Sequence, residues 1–450
     1  MVELLDENKP LHVIIVGAGL GGLMLALLLE RLNISYVVLE RASEIRPLGS
    51  AMAFSANILP AFEQLGMLPE IEKISMPIFN MDIYNNARQK VGALNMGRYR
   101  ATSGYESLIF ARPDMHHLFL SKIPASKVLL KKRVLSMEQN ELGVMVRLAD
   151  GTTCHGDILV GADGAYSAVR QGLYKLAEKH GILAASDLTS LKMGYMSMVG
   201  IAQPDPEKYP VVKEKSANFS RLIGEKSPYS YNTATVPGGR ICWGMTIQLD
   251  TSKVSKEMRF KNSEWGPEAN EIMIKEIHDF PCHFGGVVGD LIDATPKDLI
   301  SRVFLEEKLF ETWHHGRTVL LGDGATNALQ DAVILANCIY DLKSNSPEDI
   351  SAAFRSYKDQ RYPHAKQQME KSKNLGKILY GQTWSERILR YIAFNMIPAK
   401  TQEDQFLKDT VYRPILSFME PPENRGSGSV LPQKPSERYE REKRAREAQP

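Results

Sequence analysis

The sequence predicts an α/β fold: a Rossmann-like nucleotide-binding domain, an inserted and mainly antiparallel β-sheet, and a helical C-terminal region. Three observations predict it. Residues 11–40 read as strand, glycine turn, helix and strand. Two further strand–loop–helix units stand at 158–170 and 317–342. Between 185 and 300, aromatic and β-branched runs alternate with Pro and Gly, as strands and turns do.

The first unit is the most informative. Val13-Ile14-Ile15-Val16 suits a buried parallel strand. Gly17-x-Gly19-x-x-Gly22 follows and opens a helix. Gly17 makes the tight turn, Gly19 lets a pyrophosphate approach the backbone, and Gly22 seats the helix close to the sheet. Free N–H groups at the helix N-terminus attract phosphate. Tyr36 to Leu39 form the second strand, and Glu40 ends it eighteen residues past Gly22, where a carboxylate can accept from ribose hydroxyls. Arg41, next to it, joins the cofactor-binding candidates. The competing reading of 11–29 is a signal peptide or membrane span. Three glycines within six residues suit neither, and the leading MVELLDENK is acidic.

At 450 residues the chain can build two packed domains, and 43% hydrophobic residues is typical of a globular enzyme. A net charge of +2 gives no general attraction to nucleic acid. Cys154, Cys242, Cys282 and Cys338 form no CxxC pair, which argues against a zinc site or disulfide framework. With no secretory signal visible, the expected setting is cytoplasmic.

Pro47, Gly49 and Ser50 mark a loop beside the nucleotide, and Ile58 to Leu65 suits an amphipathic helix closing at Gly66. Pro113 marks a first helical turn, so Arg112 stands at a helix start with its guanidinium free to meet a phosphate. Residues 142–155 form a hairpin about Asp150-Gly151. Ile158 to Val160 are a buried strand whose exit loop holds Gly161, Asp163 and Gly164, and a helix begins at Ser167–Arg170. Pro237-Gly238-Gly239 reads as a turn between strands of a sheet covering the cofactor. Its aromatics Tyr229, Tyr231 and Trp243 are pocket candidates, though each taken singly reads first as packing. Val319 to Leu321 form a strand ending at Gly322-Asp323, and Ala325 to Leu342 a helix. Residues 346–420 read as helical. Their WSERILRYIAFNMI segment is too short to span a bilayer, so it packs on the body or touches a membrane interface peripherally. The composition beyond Pro421 predicts disorder.

The three segments GAGLGG with Glu40, GADGAYSAVR and VLLGDGATNALQDAV, in that order, resemble the class A flavoprotein monooxygenases, the group of para-hydroxybenzoate hydroxylase. GSAMAFSANILPAFEQLGM, LIFARPDMHHLFL, DAVILANCIYDL and YRPILSFMEPPENRG are similar to fungal FAD-dependent monooxygenases that include the paxilline-type epoxidases. The resemblance implies FAD rather than NAD. With the composition and pattern above, this divides the chain into an FAD-binding domain in two parts (1–184 and 301–345), a substrate-domain sheet (185–300), a helical region (346–420) and a disordered tail (421–450). Glu40 would bind the adenosine ribose, the Gly49 loop would lie along the cofactor, and Arg112 would neighbour the pyrophosphate. Asp163 would serve the cofactor, with NADPH as reductant. Asp323 would hold the ribityl chain, with Gly324 and Ala325 beside it, and Tyr229 is the substrate-side candidate. FAD reduced by NADPH would react with O2 at flavin C4a, and the distal oxygen would hydroxylate or epoxidise a small aromatic or isoprenoid-type substrate.

The sequence departs from that pattern at one place. Relatives follow the Gly-Asp with a loop holding a proline and a Gly-x-Gly, whose N–H groups would stabilise the anionic reduced ring. Here Gly322-Asp323-Gly324 runs almost directly into Ala325-Thr326-Asn327. This leaves open a working variant site, a flavin-binding protein impaired as an oxygenase, or a coding sequence that lost part of an exon.

Overall fold

Buried apolar runs at the start of the chain decide where the main sheet forms. The computed structural model describes residues 10–189, 192–223, 229–249, 268–322, 324–380 and 383–448, so Asp323 lies outside the described residues. β1 (His12–Val16) leads through α1 (Leu20–Arg31) to β2 (Ser35–Leu39). β3 (Ile158–Gly161) and β4 (Thr318–Leu320) come from far along the chain. They join in the order His314–His315, β4, β3, β1, β2, Val128–Leu129. All neighbours are parallel except His314–His315.

These strands are nearly all apolar because both faces of the sheet are covered. Leu23 to Leu29 of α1 and Leu329 to Ala336 of α3 (Ala325–Tyr340) pack on one face. A hairpin sheet of residues 134–156 and α2 (Ala168–Lys179) close the other, through Val146, Leu148 and Leu173.

The second sheet has seven strands in the order 301–307, 192–202, 240–248, 229–236, 219–223, 80–84, 90–95. It is antiparallel except where 219–223 runs parallel to 80–84. Gly238 and Gly239, with φ of +83° and +68°, turn the central hairpin as the Pro-Gly-Gly segment predicts. Strands 80–95 come from the part of the chain that the sequence reading gives to the nucleotide half. A long-range pairing carries no local signal. On one face Tyr231, Trp243 and Met245 pack against helices Glu268–Ile277 and Val288–Asp293. On the other, Cys242 and Val236 meet Ala111 of the nucleotide half.

The C-terminal region opens with α4 (Pro347–Tyr380), followed by α5 (Trp384–Asn395) and helix Ala399–Leu407. The expected disorder beyond Pro421 is corrected by helix Glu437–Glu447. The tail has few apolar residues, but polar ties hold it. Ser436 Oγ donates to Asp341 at 2.5 Å, Tyr340 donates to Glu442 at 2.6 Å, and the buried Tyr439 donates to Glu420 at 2.9 Å.

Candidate active site

Strand register gathers the candidate residues. Leu39, Val16, Gly161 and Leu320 are Cα partners across β2, β1, β3 and β4. The residues that follow each strand therefore leave the sheet from one level edge, over roughly 14 Å for three strand spacings. Carboxyl ends of parallel strands are where open α/β sheets bind ligands. Glu40, the glycine motif, Asp163, Gly322 and Gly324 all stand along that edge.

The glycines divide by what surrounds them. Gly17 has φ +108°, and a Cβ there would lie 2.4 Å from the Ala162 carbonyl oxygen. A Cβ on Gly22 would lie 2.0 Å from the Gly17 oxygen, so helix and turn touch backbone to backbone. Gly19 differs: a Cβ there meets nothing within 4 Å. Gly19 caps α1 without a side-chain hydrogen bond, and no acid stands in the first turn. The open space and the uncapped amides fit an anionic group.

Glu40 is held from both sides. The Ala18 amide donates to Oε2 at 2.9 Å and the Ala42 amide to Oε1 at 2.8 Å, which ties the carboxylate to the glycine turn. Each oxygen keeps a lone pair for another donor. Arg41 beside it is exposed. His116 Nε2 bonds the Ala18 carbonyl at 2.7 Å, and burial pushes this imidazole below its ordinary pKa.

Arg112 begins helix Arg112–Ser121 as expected, but its guanidinium is not free. Nη1 donates to the Leu48 carbonyl at 3.0 Å, and its stem lies where a Cβ on Gly49 would come within 2.9 Å. Gly49, at φ +129°, makes room for it. Burial pushes this guanidinium downward, and no carboxylate pairs with it among the described residues.

Asp163 caps α2. Oδ2 accepts from the Ala168 amide at 2.6 Å and the Val169 amide at 3.3 Å, while Ser167 Oγ accepts from Arg170 at 2.8 Å. Oδ1 is buried with no partner among the described residues, and burial raises the pKa of this acid.

Gly322, just past β4, is pinned from behind. The Gly322 amide donates to Asp331 Oδ2 at 2.7 Å, and Asp331 Oδ1 accepts from Arg361 Nε at 2.6 Å. Both charged side chains are fully buried. Arg361 Nη2 also donates to Asn327 Oδ1 at 3.2 Å, in the first turn of α3. Gly324, at φ +91°, caps α3 without a side-chain bond, so the amides from Ala325 onward begin the helix uncapped.

Beside this turn opens a cavity of about 600 Å³. Tyr166 and Arg170 line one side, Phe310, Trp313 and Leu321 the next, and Gln368 and Met369 of α4 a third. Gly322, Gly324 and Asn327 border it. Arg170 lies over the Phe310 ring at 4.3 Å and Lys308 at 5.0 Å, which puts positive charge on an apolar wall.

Tyr229 is not brought to this cavity. Register sets it beside Ile247, two residues from Tyr231, on the face packed by helices 268–277 and 288–293. There it bonds Glu276 and meets Phe280. Strand alternation explains this, since an aromatic segment does not announce which face it supplies. Sequence reasoning missed Asp331, Arg361, Gln368 and Phe310. One usable signal was Asp331, a lone acid within the apolar run ALQDAVILA, which a buried helix tolerates only with a partner.

Comparison with known proteins gives the family. A family model described as an FAD binding domain matches residues 10–372, and the chain belongs to that family. The FAD-dependent monooxygenase ptmM of Penicillium ochrochloron is 31% identical over 383 residues, covering 79% of this chain and 86% of that one. The FAD-dependent monooxygenase penM of Penicillium crustosum is 30% identical over 390 residues, covering 79% and 76%. The solved structure of Klebsiella pneumoniae HpxO complexed with FAD and uric acid matches at a TM-score of 0.70 and 20% identity. It covers 92% of this chain and 99% of that one, a likeness of fold.

Proposed function

We propose that this member of the family, an FAD-dependent monooxygenase, takes electrons from NADPH and uses O2 to hydroxylate or epoxidise a small organic substrate of aromatic or isoprenoid type. The observation that carries the reading is the level row of strand ends. It sets the open Gly19 turn, Glu40, Asp163 and the α3 N-terminus along one edge, and an apolar cavity opens at the β3–β4 end of that edge. The open turn and the uncapped amides fit an extended FAD.

FAD, when bound, supplies the redox chemistry that amino-acid side chains lack. The chain's own residues bind and orient. Glu40, fixed by the Ala18 and Ala42 amides, accepts from the ribose hydroxyls. Arg112, with no carboxylate of its own among the described residues, turns its remaining N–H groups to phosphate. The first-turn amides of α3 would favour negative charge on a flavin ring held beside them. Phe310, Trp313, Leu321 and Met369 exclude water from the cavity, and Gln368 offers a polar contact. The four widely spaced cysteines, with no CxxC pair, fit a reducing, cytoplasmic setting.

The test is spectroscopic and kinetic. Purified protein given FAD should show flavin absorbance, and an isoprenoid or phenolic substrate should accelerate NADPH consumption with stoichiometric oxygenated product. Protein that stays colourless defeats the reading. The shortened turn favours a second reading, a flavin protein without oxygenase activity, which predicts a yellow protein whose NADPH oxidation no substrate accelerates.

A further inference from the structure

We propose that α5 and the turn after it form a docking face for an anionic phospholipid surface. The helix is amphipathic and carries its apolar side outward. Trp384, Ile388, Tyr391 and Ile392 share one arc at helical spacing, with Leu389 and Met396 beside them. All six are exposed, Trp384 at 76%, Tyr391 at 63% and Met396 at 66%.

The helix does not turn outward for want of anchoring. Thr383 and Glu386 form a reciprocal capping box. Arg390 Nε donates to the Ile378 carbonyl of α4 at 2.7 Å. Phe394 packs where a Cβ on Gly92 would lie 2.8 Å from its ring, in a cluster with Leu375, Leu379 and Phe406. Gln402 donates to the carbonyls of Ala393 and Ile397 at 3.0 and 2.9 Å. The inward side is thus fixed by Glu386, Arg390, Ala393 and Phe394, and the large apolar side chains are left to a partner. A contiguous exposed apolar patch on an anchored helix marks an interaction surface.

Chemistry selects the partner. Trp and Tyr on such an arc are the side chains that settle at the headgroup level of a bilayer. From 366 to 400 the chain carries seven Lys and Arg against two Glu; Arg390 is turned inward, Lys371 pairs with Asp409, and Glu386 is used in the cap. Lys373, Lys377, Arg387 and Lys400 are exposed. That charge complements anionic headgroups and opposes pairing with a second copy of the same face.

Full-length FAD-loaded protein should be sedimented with vesicles of phosphatidylcholine alone and of phosphatidylcholine with phosphatidylserine. The expected result is co-sedimentation with the mixed vesicles, weakened by salt. W384S/I388S/Y391S/M396S should lower binding by about tenfold or more, because buried methylenes drive interfacial attachment. R387E/K400E should lower it on the anionic vesicles while leaving the apolar arc intact. Both variants should keep the wild-type flavin spectrum and Tm. Wild-type protein that stays in the supernatant with both vesicles overturns the proposal. So does equal binding by the fourfold serine variant, or loss of a dimer in that variant without any vesicle binding.

Discussion

Arg361 Nε lies 2.6 Å from Asp331 Oδ1, with both side chains sealed from solvent, and the other oxygen of Asp331 holds the Gly322 amide at 2.7 Å. One ion pair therefore ties α4 to α3 and to the end of β4. Removing one partner leaves an uncompensated buried charge, at about 3–5 kcal/mol. Arg361→Ala and Asp331→Ala should each lose that much in urea unfolding, and Arg361→Met with Asp331→Leu should lose less than either alone.

Gly19 and Gly22 should separate folding from binding. A Cβ at Gly19→Ala meets nothing within 4 Å among the described residues beyond its chain neighbours, so FAD-free protein should keep its Tm while flavin titration shows weaker affinity. Gly22→Ala drives a Cβ against the Gly17 oxygen and should lower Tm with or without FAD.

Asp163 should respond to amide substitution against intuition. Its folded pKa is raised by burial, so the native state holds the proton more tightly than the unfolded chain. Its contribution is most favourable at low pH and declines as pH rises through the shifted value. Asp163→Asn keeps an acceptor for the Ala168 and Val169 amides and removes the charge. At neutral pH the FAD-free variant should melt at or above the wild-type temperature, and calorimetry across pH checks the sign.

Acid should weaken the fold through the half-buried His314. Burial, aided by Lys358 and Arg355, brings the His314 pKa down from 6.5 to about 4. The imidazole is neutral when folded and takes a proton when unfolded. Its stability contribution is therefore complete above pH 6.5 and lost as pH falls toward 4, a change of order 3 kcal/mol. His314→Gln should flatten the Tm profile across that window.

The parts of the fold legible in the sequence are those written in contiguous residues. Gly17, Gly19, Gly22 and Glu40 lie within one strand–helix–strand unit, and each glycine's role follows from local sterics. The Pro237–Gly239 hairpin is equally local. What sequence alone did not yield depends on distant partners: the pairing of 80–84 with 219–223, the face chosen by Tyr229, and the bond between Asp331 and Arg361, thirty residues apart. The tail failed for a related reason. Its composition is that of a disordered segment, and only Asp341, Tyr340 and Glu420 elsewhere give Ser436, Glu442 and Tyr439 somewhere to bind.

That last arrangement governs how the gene should be handled. Trimming at Pro421 to help crystals would strip Tyr340 and Asp341 of their covering and bare the end of α3, the helix whose opposite end meets the cavity.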